Sequence, residues 1–365
     1  MTGIFSKVRH GAHVMLLSIM VGANIATMML LWFTCLSTYL DPATHPRLSQ
    51  AGLLFPVFLF IDILFLAAWL IVTCKHALLP VIGVLCCWNF VREYVPVNLG
   101  PEPPAESYRI LSFNVANLID DPPCNIDGQE SMRYITSSDA DIIFLQECPQ
   151  SRDVFKKLKR EMTKLGYQAR SYSGLTIFSK YDFVGKNIYE KNIDAGNGSF
   201  ACMINLKGDT VLLVNNHLQS NAISIEEKNE YSNAITQYDK DRMSASGRIL
   251  LSRLSNAAAK RAEQVNSLCT LTKEYEKYGI ILAGDLNDTP ISYTCQQLSK
   301  HLKSSYVESG NGLGISFNRK AFPVRIDHIY VSETFETFST HIDRSIKSSD
   351  HLPIITNIYK GNTTN

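Results

Sequence analysis

Three long apolar runs crowd the N-terminal third of the chain, and beyond them the apolar stretches become short and evenly interrupted. The first run covers Val14–Tyr39 without a charged side chain, and the second covers Ala51–Cys74 with Asp62 as its one charge. The third, His76–Val97, is shorter and broken by Arg92 and Glu93. A helix needs about 20 apolar residues to cross a bilayer core. The pattern therefore predicts a membrane anchor of about three transmembrane helices over residues 1–97. The first run is too long for a signal-peptide core, and no small-residue cleavage pattern follows it. Pro96–Pro104 (PVNLGPEPP) cannot continue a helix, so residues 98–107 read as a linker. Asp62, alone in its span, reads as a carboxylate protonated or paired within the helix bundle.

From residue 108 to about 360 the periods change to those of a globular α/β domain. Strands are expected at Arg109–Asn117, Asp141–Cys148, Gly174–Lys180, Cys202–Leu206, Thr210–Leu218, Gly279–Asn287, Arg325–Ser332 and Ser349–Tyr359. Helices are expected at Asp127–Ser138 and Arg152–Leu165, the latter with Phe155, Leu158, Met162 and Leu165 on one face. Ser220–Thr272 is polar, with a helical second half; its first part, Ser220–Ser255, reads equally as a lid or as a surface excursion.

Charge narrows the partners. Five of the 35 basic and three of the 34 acidic side chains precede residue 101, which leaves 30 basic against 31 acidic in the globular part. A domain that grips long nucleic acid carries a basic excess to neutralise phosphates. Lys7, Arg9 and Lys75 on one side of the membrane outweigh Arg47 and Arg92 on the other. That bias predicts a cytoplasmic N-terminus and an extracytoplasmic globular domain. The nine cysteines lack the spacing of a disulfide framework or a zinc ribbon.

Candidate chemistry sits where apolar runs end. Asn114, Glu147, His217, Asp285, Asn287, Asp327, Asp350 and His351 each follow or flank a short apolar run, the usual place for a site on a rigid sheet. Phosphate-ester hydrolysis needs charge neutralisation at the phosphoryl oxygens, a base for water, and help for the leaving oxygen. Glu147 and Asp350 suit a hard cation such as Mg²⁺, Asp285 suits the base, and His217 and His351 suit the phosphate and leaving-group roles. Any one of these residues alone is a solvated loop group or a turn.

Their order makes the pattern specific. SFN, LQE, NNHL, GDLND, RIDHI and SDH, in that succession over Arg109–Tyr359, resemble the endonuclease/exonuclease/phosphatase superfamily. The three-span anchor, with GDLNDTPISYT (Gly284–Thr294), RAEQV (Arg261–Val265) and GNGLGISF (Gly310–Phe317), resembles a membrane-bound bacterial group within it. The resemblance implies a two-sheet β-sandwich flanked by helices, the four-layer fold of deoxyribonuclease, and a dependence on Mg²⁺ or Mn²⁺. It implies Glu147, with Asn114 and Asp350, at the metal, and Asp285 on the attacking water with Asn287 fixing both Asp285 and the phosphate. It implies His351 on the scissile phosphate with Asp327 behind it, and His217 with Asn215 toward the phosphate and the leaving group. Ala116 stands where apurinic endonucleases carry a second acid, a departure from that branch.

The expected activity is a membrane-tethered phosphoesterase acting on a phospholipid head group, a sugar phosphate or nucleic acid, beside the lipid bilayer and with no obligate protein partner. Tyr172, Phe200 and Phe317 are aromatic residues that could stack on a base, but most tyrosines and phenylalanines fill cores, and that is the reading taken for them. The alternatives are a membrane-anchored nuclease and a non-catalytic binding module that retains the fold. The completeness of the constellation favours an enzyme.

Overall fold

The computed structural model describes residues 2–119, 129–194, 196–221, 240–317 and 323–361. Four helices come first: α1 (Thr2–Leu36), α2 (Phe55–Val72), α3 (Leu78–Cys86) and α4 (Trp88–Tyr94). Two stretches, His10–Tyr39 and Leu48–Val72, are long and apolar enough to cross a membrane. The third run differs from expectation. It is bent by 69° between Cys74–Cys86 and Trp88–Tyr94 instead of forming one straight span. The bend leaves α4 against the globular domain, where Arg92 pairs with Glu308 at 3.7 Å.

Asp62 is buried and paired within the bundle. It accepts from Asn24 Nδ2 at 3.0 Å, and Asn24 Oδ1 accepts from Trp69 Nε1 at 3.0 Å. Gly83 lets α3 close on this pair, since a Cβ there would stand 2.7 Å from Asp62 Oδ2. Without hydrogen-bond partners these groups would be costly in an apolar bundle.

The remaining chain folds into two six-stranded sheets packed face to face. Sheet one contains β1 (Tyr108–Asn114), β2 (Ile142–Gln146), β3 (Gln168–Tyr172), β4 (Leu175–Ser179), β11 (Phe335–Ile342) and β12 (Ile354–Lys360). Its order is β11-β12-β1-β2-β4-β3. Sheet two contains β5 (Phe183–Asp194), β6 (Asn197–Leu206), β7 (Asp209–His217), β8 (Gly279–Asp285), β9 (Lys303–Ser304) and β10 (Asp327–Val331). Its order is β5-β6-β7-β8-β10-β9.

Each sheet holds one parallel pair at its centre, β1 beside β2 and β7 beside β8. A parallel pair needs a crossover. Helix α5 (Gln129–Ser137) lies in the first and α7 (Lys240–Glu274) in the second. The outer faces are covered by α5 and α6 (Asp153–Lys164) on sheet one, and by α7 and α8 (Tyr293–Leu298) on sheet two. A short helix, α9 (Ser305–Ser309), joins β9 to the loop before β10. The four-layer architecture implied by the sequence is thus the one observed.

Strand alternation builds the layers. In β1, Ile110 points between the sheets while Leu111 and Phe113 pack outward under α5 and α6. Ile142 and Phe144 of β2, Leu213 of β7 and Ile281 of β8 complete the central layer. Each fully buried side chain of this kind contributes on the order of 2 kcal/mol.

Polar groups fasten the two sheets where they meet. Asn215 of β7 donates to the carbonyls of Leu145 and Thr176 and accepts from Gln146 Nε2 at 2.8 Å. The carbonyls and the amide it meets all belong to sheet one. Gly284 allows β8 to lie close to β7: its φ is +140°, and a Cβ there would overlap the backbone of Asn216.

Sequence reading passed over four strands. β3, β5, β9 and β11 are the four edge strands of the two sheets, with polar residues through their length. Residues 222–239 of the candidate lid lie outside the described residues, while its C-terminal part belongs to α7.

Candidate active site

Strand ends set the geometry. β1 and β2 run parallel and finish at Asn114 and at Gln146, just before Glu147; β7 and β8 run parallel and finish at His217 and Asp285. β10 is antiparallel and starts at the same edge with Asp327. His217, Asp285 and Asp327 are therefore direct cross-strand neighbours in sheet two. Asn114 and Glu147 face them from sheet one, and His351 arrives on the loop before β12.

The side chains converge on Asp285. Its Oδ2 lies 3.1 Å from Asn114 Nδ2, 3.6 Å from His217 Nε2 and 3.7 Å from His351 Nε2. Asn114 Nδ2 also donates to Glu147 Oε1 at 3.0 Å, and His217 Nε2 stands 3.7 Å from that same oxygen. One amide thus spans two carboxylates on different sheets. Asn114 Oδ1 accepts from the Ala116 N–H, which fixes which way the amide points.

The turns that carry these groups are tightly specified. Glu147 has φ +54° and Asn287 has φ +51°. Such a conformation is uncommon for Glu and more readily adopted by Asn. The Glu147 carbonyl accepts from Asn117 N–H, and Asn117 Nδ2 approaches Glu147 Oε2 at 3.4 Å. Asn287 N–H donates to Asp285 Oδ1 at 2.8 Å, and its side chain donates to the Leu218 carbonyl at 3.1 Å. Asn287 thereby ties the β8 turn to the β7 turn and holds Asp285 in place.

Both histidines are oriented by their inner nitrogens. His217 Nδ1 donates to the Gly196 carbonyl at 2.7 Å, which turns Nε2 toward the carboxylates. His351 Nδ1 donates to Asp327 Oδ2 at 2.8 Å. Burial alone would lower the His351 pKa, but the Asp327 and Asp285 charges outweigh it and push it up to about 10. His351 therefore carries its proton at neutral pH. Burial also raises the Asp285 pKa; the His351 and His217 charges oppose the rise and the Asp327 charge adds to it. A buried carboxyl with raised pKa is suited to taking a proton from water.

Second-layer contacts brace the site, and several involve residues that sequence reading passed over. Arg261, buried in α7, bonds Asp288 at 3.2 Å and the Gln219 carbonyl at 2.9 Å. Gln264 accepts from Gln219 N–H at 2.9 Å. The RAEQV segment thus supports the turns after both His217 and Asp285. His328, beside Asp327 but on the opposite face of β10, meets the Asp288 carbonyl at 3.2 Å; burial and the Arg325 charge lower its pKa to about 3. The alternation of β10 was the available signal for its direction. Ser316 Oγ accepts from the Asp327 N–H, and Ser349 Oγ donates to the Asn114 carbonyl.

One sequence expectation changes, and the core reading of the aromatic residues holds for Phe200 and Tyr172. Asn215 shares a face with His217 but lies one pair deeper between the sheets, fully buried and committed to protein partners, so it makes no contact with phosphate. Phe200 is fully buried in the central layer with Tyr172 packed against that layer, so this pair offers no stacking platform. Phe317, half-buried, stands edge-on to His351 with ring centroids 5.0 Å apart. Asp350, half-buried beside His351, adds its charge to that imidazole.

The ligand atoms of Asp285, Asp327 and His351 lie within 4.8 Å of one another. In this set His351 Nδ1 is taken up by Asp327 Oδ2 at 2.8 Å, which leaves Nε2 as its one free nitrogen. Glu147 fits better. It is partly open to solvent and shares Asn114 with Asp285, so two hard oxygen donors meet there. Four carboxyl groups (Glu147, Asp285, Asp327 and Asp350) surround the two imidazoles, a donor set rich in hard oxygen.

A family model described as the endonuclease/exonuclease/phosphatase family matches residues 111–351, from β1 to His351. The chain belongs to the endonuclease/exonuclease/phosphatase family. Members of this family are phosphoesterase hydrolases that generally depend on divalent metal. A second family model, a domain of unknown function, matches residues 17–94. No curated protein matches the sequence. Among solved structures, the chain is similar to the endonuclease/exonuclease/phosphatase from Beutenbergia cavernae, with 16% identity, TM-score 0.50, and 70% and 72% of the two chains covered. It is similar to the human Nocturnin catalytic domain with bound sulfate, at 16% identity and TM-score 0.50, over 71% of this chain and 96% of that one. The same protein type from Bacteroides vulgatus gives 16% identity and TM-score 0.50 over 70% and 99%. These structures share the endonuclease/exonuclease/phosphatase fold.

The Asp327–His351 pair yields a direct prediction. With the metal chelated, Asp327→Asn lowers the His351 pKa from about 10 toward its ordinary value. NMR of selectively ¹⁵N-labelled histidine, with the signal identified through His351→Ala, follows the titration. An unchanged high pKa in Asp327→Asn would contradict the assignment.

Proposed function

We propose that this protein is a divalent-metal-dependent phosphoesterase held at a membrane by three N-terminal spans, the third of them bent. The observation that carries the reading is the convergence on Asp285. One buried carboxylate oxygen has an amide and two imidazole nitrogens within 3.7 Å, drawn from both sheets.

Glu147, Asn114 and Asp350 are the residues placed to hold Mg²⁺ or Mn²⁺. A bound divalent cation would neutralise charge on the phosphoryl group. Asp285 orients the attacking water and accepts its proton, and Asn287 keeps the carboxylate aimed. Protonated His351 donates from Nε2 to a phosphoryl oxygen, with Asp327 holding the ring and its charge. His217 serves the leaving oxygen. The near balance of charge in the globular part supports a compact substrate over long nucleic acid.

The anchor reading rests on the two apolar spans and on the bent third segment. Arg47 and Arg92 lie on the side of the bundle that meets the globular domain, and Arg92 touches it. With Lys7, Arg9 and Lys75 opposite, the lysine and arginine bias favours an extracytoplasmic catalytic domain.

Two outcomes follow. The purified full chain hydrolyses bis(p-nitrophenyl) phosphate with Mg²⁺ or Mn²⁺, and chelation stops it. Asp285→Ala and His351→Ala each lose roughly 100-fold or more. Equal rates in all arms would leave a binding module as the better account. Protease added to intact cells degrades the catalytic domain; full protection would place it in the cytoplasm.

A further inference from the structure

The membrane bundle meets the globular domain at one end, and that end bears the marks of an interface. The C-terminus of α1, the turn 37–54, the N-terminus of α2 and the α3–α4 bend gather there. Tyr39 packs on Phe90 with ring centroids 6.3 Å apart, and Phe55 packs on Tyr94 at 5.6 Å. Tyr39 and Trp88 remain more than half exposed. Amphipathic aromatic rings concentrate at the level of lipid head groups.

Into this layer the globular domain inserts Ile291. The side chain is fully buried among Leu31, Cys35, Phe55, Leu59 and Cys87 of the bundle. Gly52 makes room, because a Cβ there would overlap the Ile291 carbonyl. A second attachment is Arg325, buried, which donates to the carbonyls of Glu93 and Leu313 and lies 4.3 Å over the Tyr306 ring. The linker is also tied down, with Asn98 Nδ2 bonded to the carbonyls of Val307 and Gly310.

Both attachments lie on the active-site edge of the sandwich. Ile291 follows Asn287 in the turn after β8, and Arg325 precedes Asp327 at the start of β10. Tyr94 of the bundle shares one small cavity with Pro290, Leu313 and Arg325. The bundle therefore grips the rim of the catalytic cleft. Apolar side chains stay exposed on loops of this edge, Ile119 just past Asn117 and Leu313 beside Arg325.

From this placement we infer that the substrate is a phosphate ester carried on a membrane lipid and cleaved at head-group level. The inference rests on the phosphoesterase reading above and adds the source of the ester. Water oxygen bonds to phosphorus, the bond from phosphorus to one ester oxygen breaks, and that oxygen leaves as an alcohol with a proton from the water. The other water proton passes to the phosphate product or to solvent. No oxidant or further reactant is required.

The test compares one ester in two settings. The full chain, reconstituted in bilayers, is given phosphatidylethanolamine, phosphatidylglycerol and sphingomyelin in the membrane, or their water-soluble counterparts glycerophosphoethanolamine, glycerophosphoglycerol and phosphocholine esters without acyl chains. Confinement to the surface raises effective concentration, so at least one membrane-borne ester is cleaved roughly 100-fold faster than its soluble form. Gly52→Leu, which wedges the rim from the bundle, reduces that advantage to near unity while hydrolysis of bis(p-nitrophenyl) phosphate persists. Ile291→Ala, which only removes contact, is read beside it in case Gly52→Leu does not fold. Equal cleavage of soluble and membrane-borne esters, cleavage of a DNA oligonucleotide in preference to both, or an unchanged lipid advantage in both variants would overturn the inference. Failure to cleave even bis(p-nitrophenyl) phosphate would instead remove the phosphoesterase reading beneath it.

Discussion

The Asn114 amide is the constraint on which the site depends. It stands at the end of β1 and reaches a carboxylate on its own sheet, Glu147, and one on the other sheet, Asp285, at 3.0 and 3.1 Å. Those contacts exist only if the two sheets keep one relative register. The buried Asn215–Gln146 tie, deeper in the sandwich, holds that register where packing alone would allow slip. A buried amide left without partners costs about 1–3 kcal/mol, so the tie also penalises alternative packings. Fold and site are coupled through these two asparagines.

Electrostatics then gives each carboxylate a different task. Asp327 is committed to His351 and keeps it charged. Asp285 is buried and raised in pKa, with its second oxygen fixed by Asn287 N–H. Glu147 stays partly open to solvent on a left-handed turn. Environments that push neighbouring acids and bases apart are what would let one pocket combine the proposed base, charged donor and cation-binding end.

Much of this was legible in the sequence. Central strands such as Gly279–Asp285 are apolar runs that stop at their functional residue, so both strand and site show in one segment. The order of the motifs indicated the family and its layers. Edge strands were not legible: Gln168–Tyr172 and Phe335–Ile342 carry polar residues throughout because they face solvent on one side. Asn215 was misread for a local reason. It alternates onto the same face as His217, and only the second sheet above it shows that this position never reaches the cleft. Arg261 showed only as part of the RAEQV segment and without a role, since a buried arginine on a polar helix looks like a surface charge until its Asp288 partner is placed beside it. The bend at Cys87 likewise depends on the domain that α4 packs against.

The central claim is that the cation end of the site is built on Glu147 and Asn114, with His351 a charged donor apart from it. Electron paramagnetic resonance of Mn²⁺ bound to the full chain tests this most directly. The account predicts binding that is lost in Glu147→Gln, weakened in Asn114→Ala and retained in His351→Ala. Binding that survives Glu147→Gln but disappears in His351→Ala would move the metal to the Asp285–Asp327–His351 set and contradict the account.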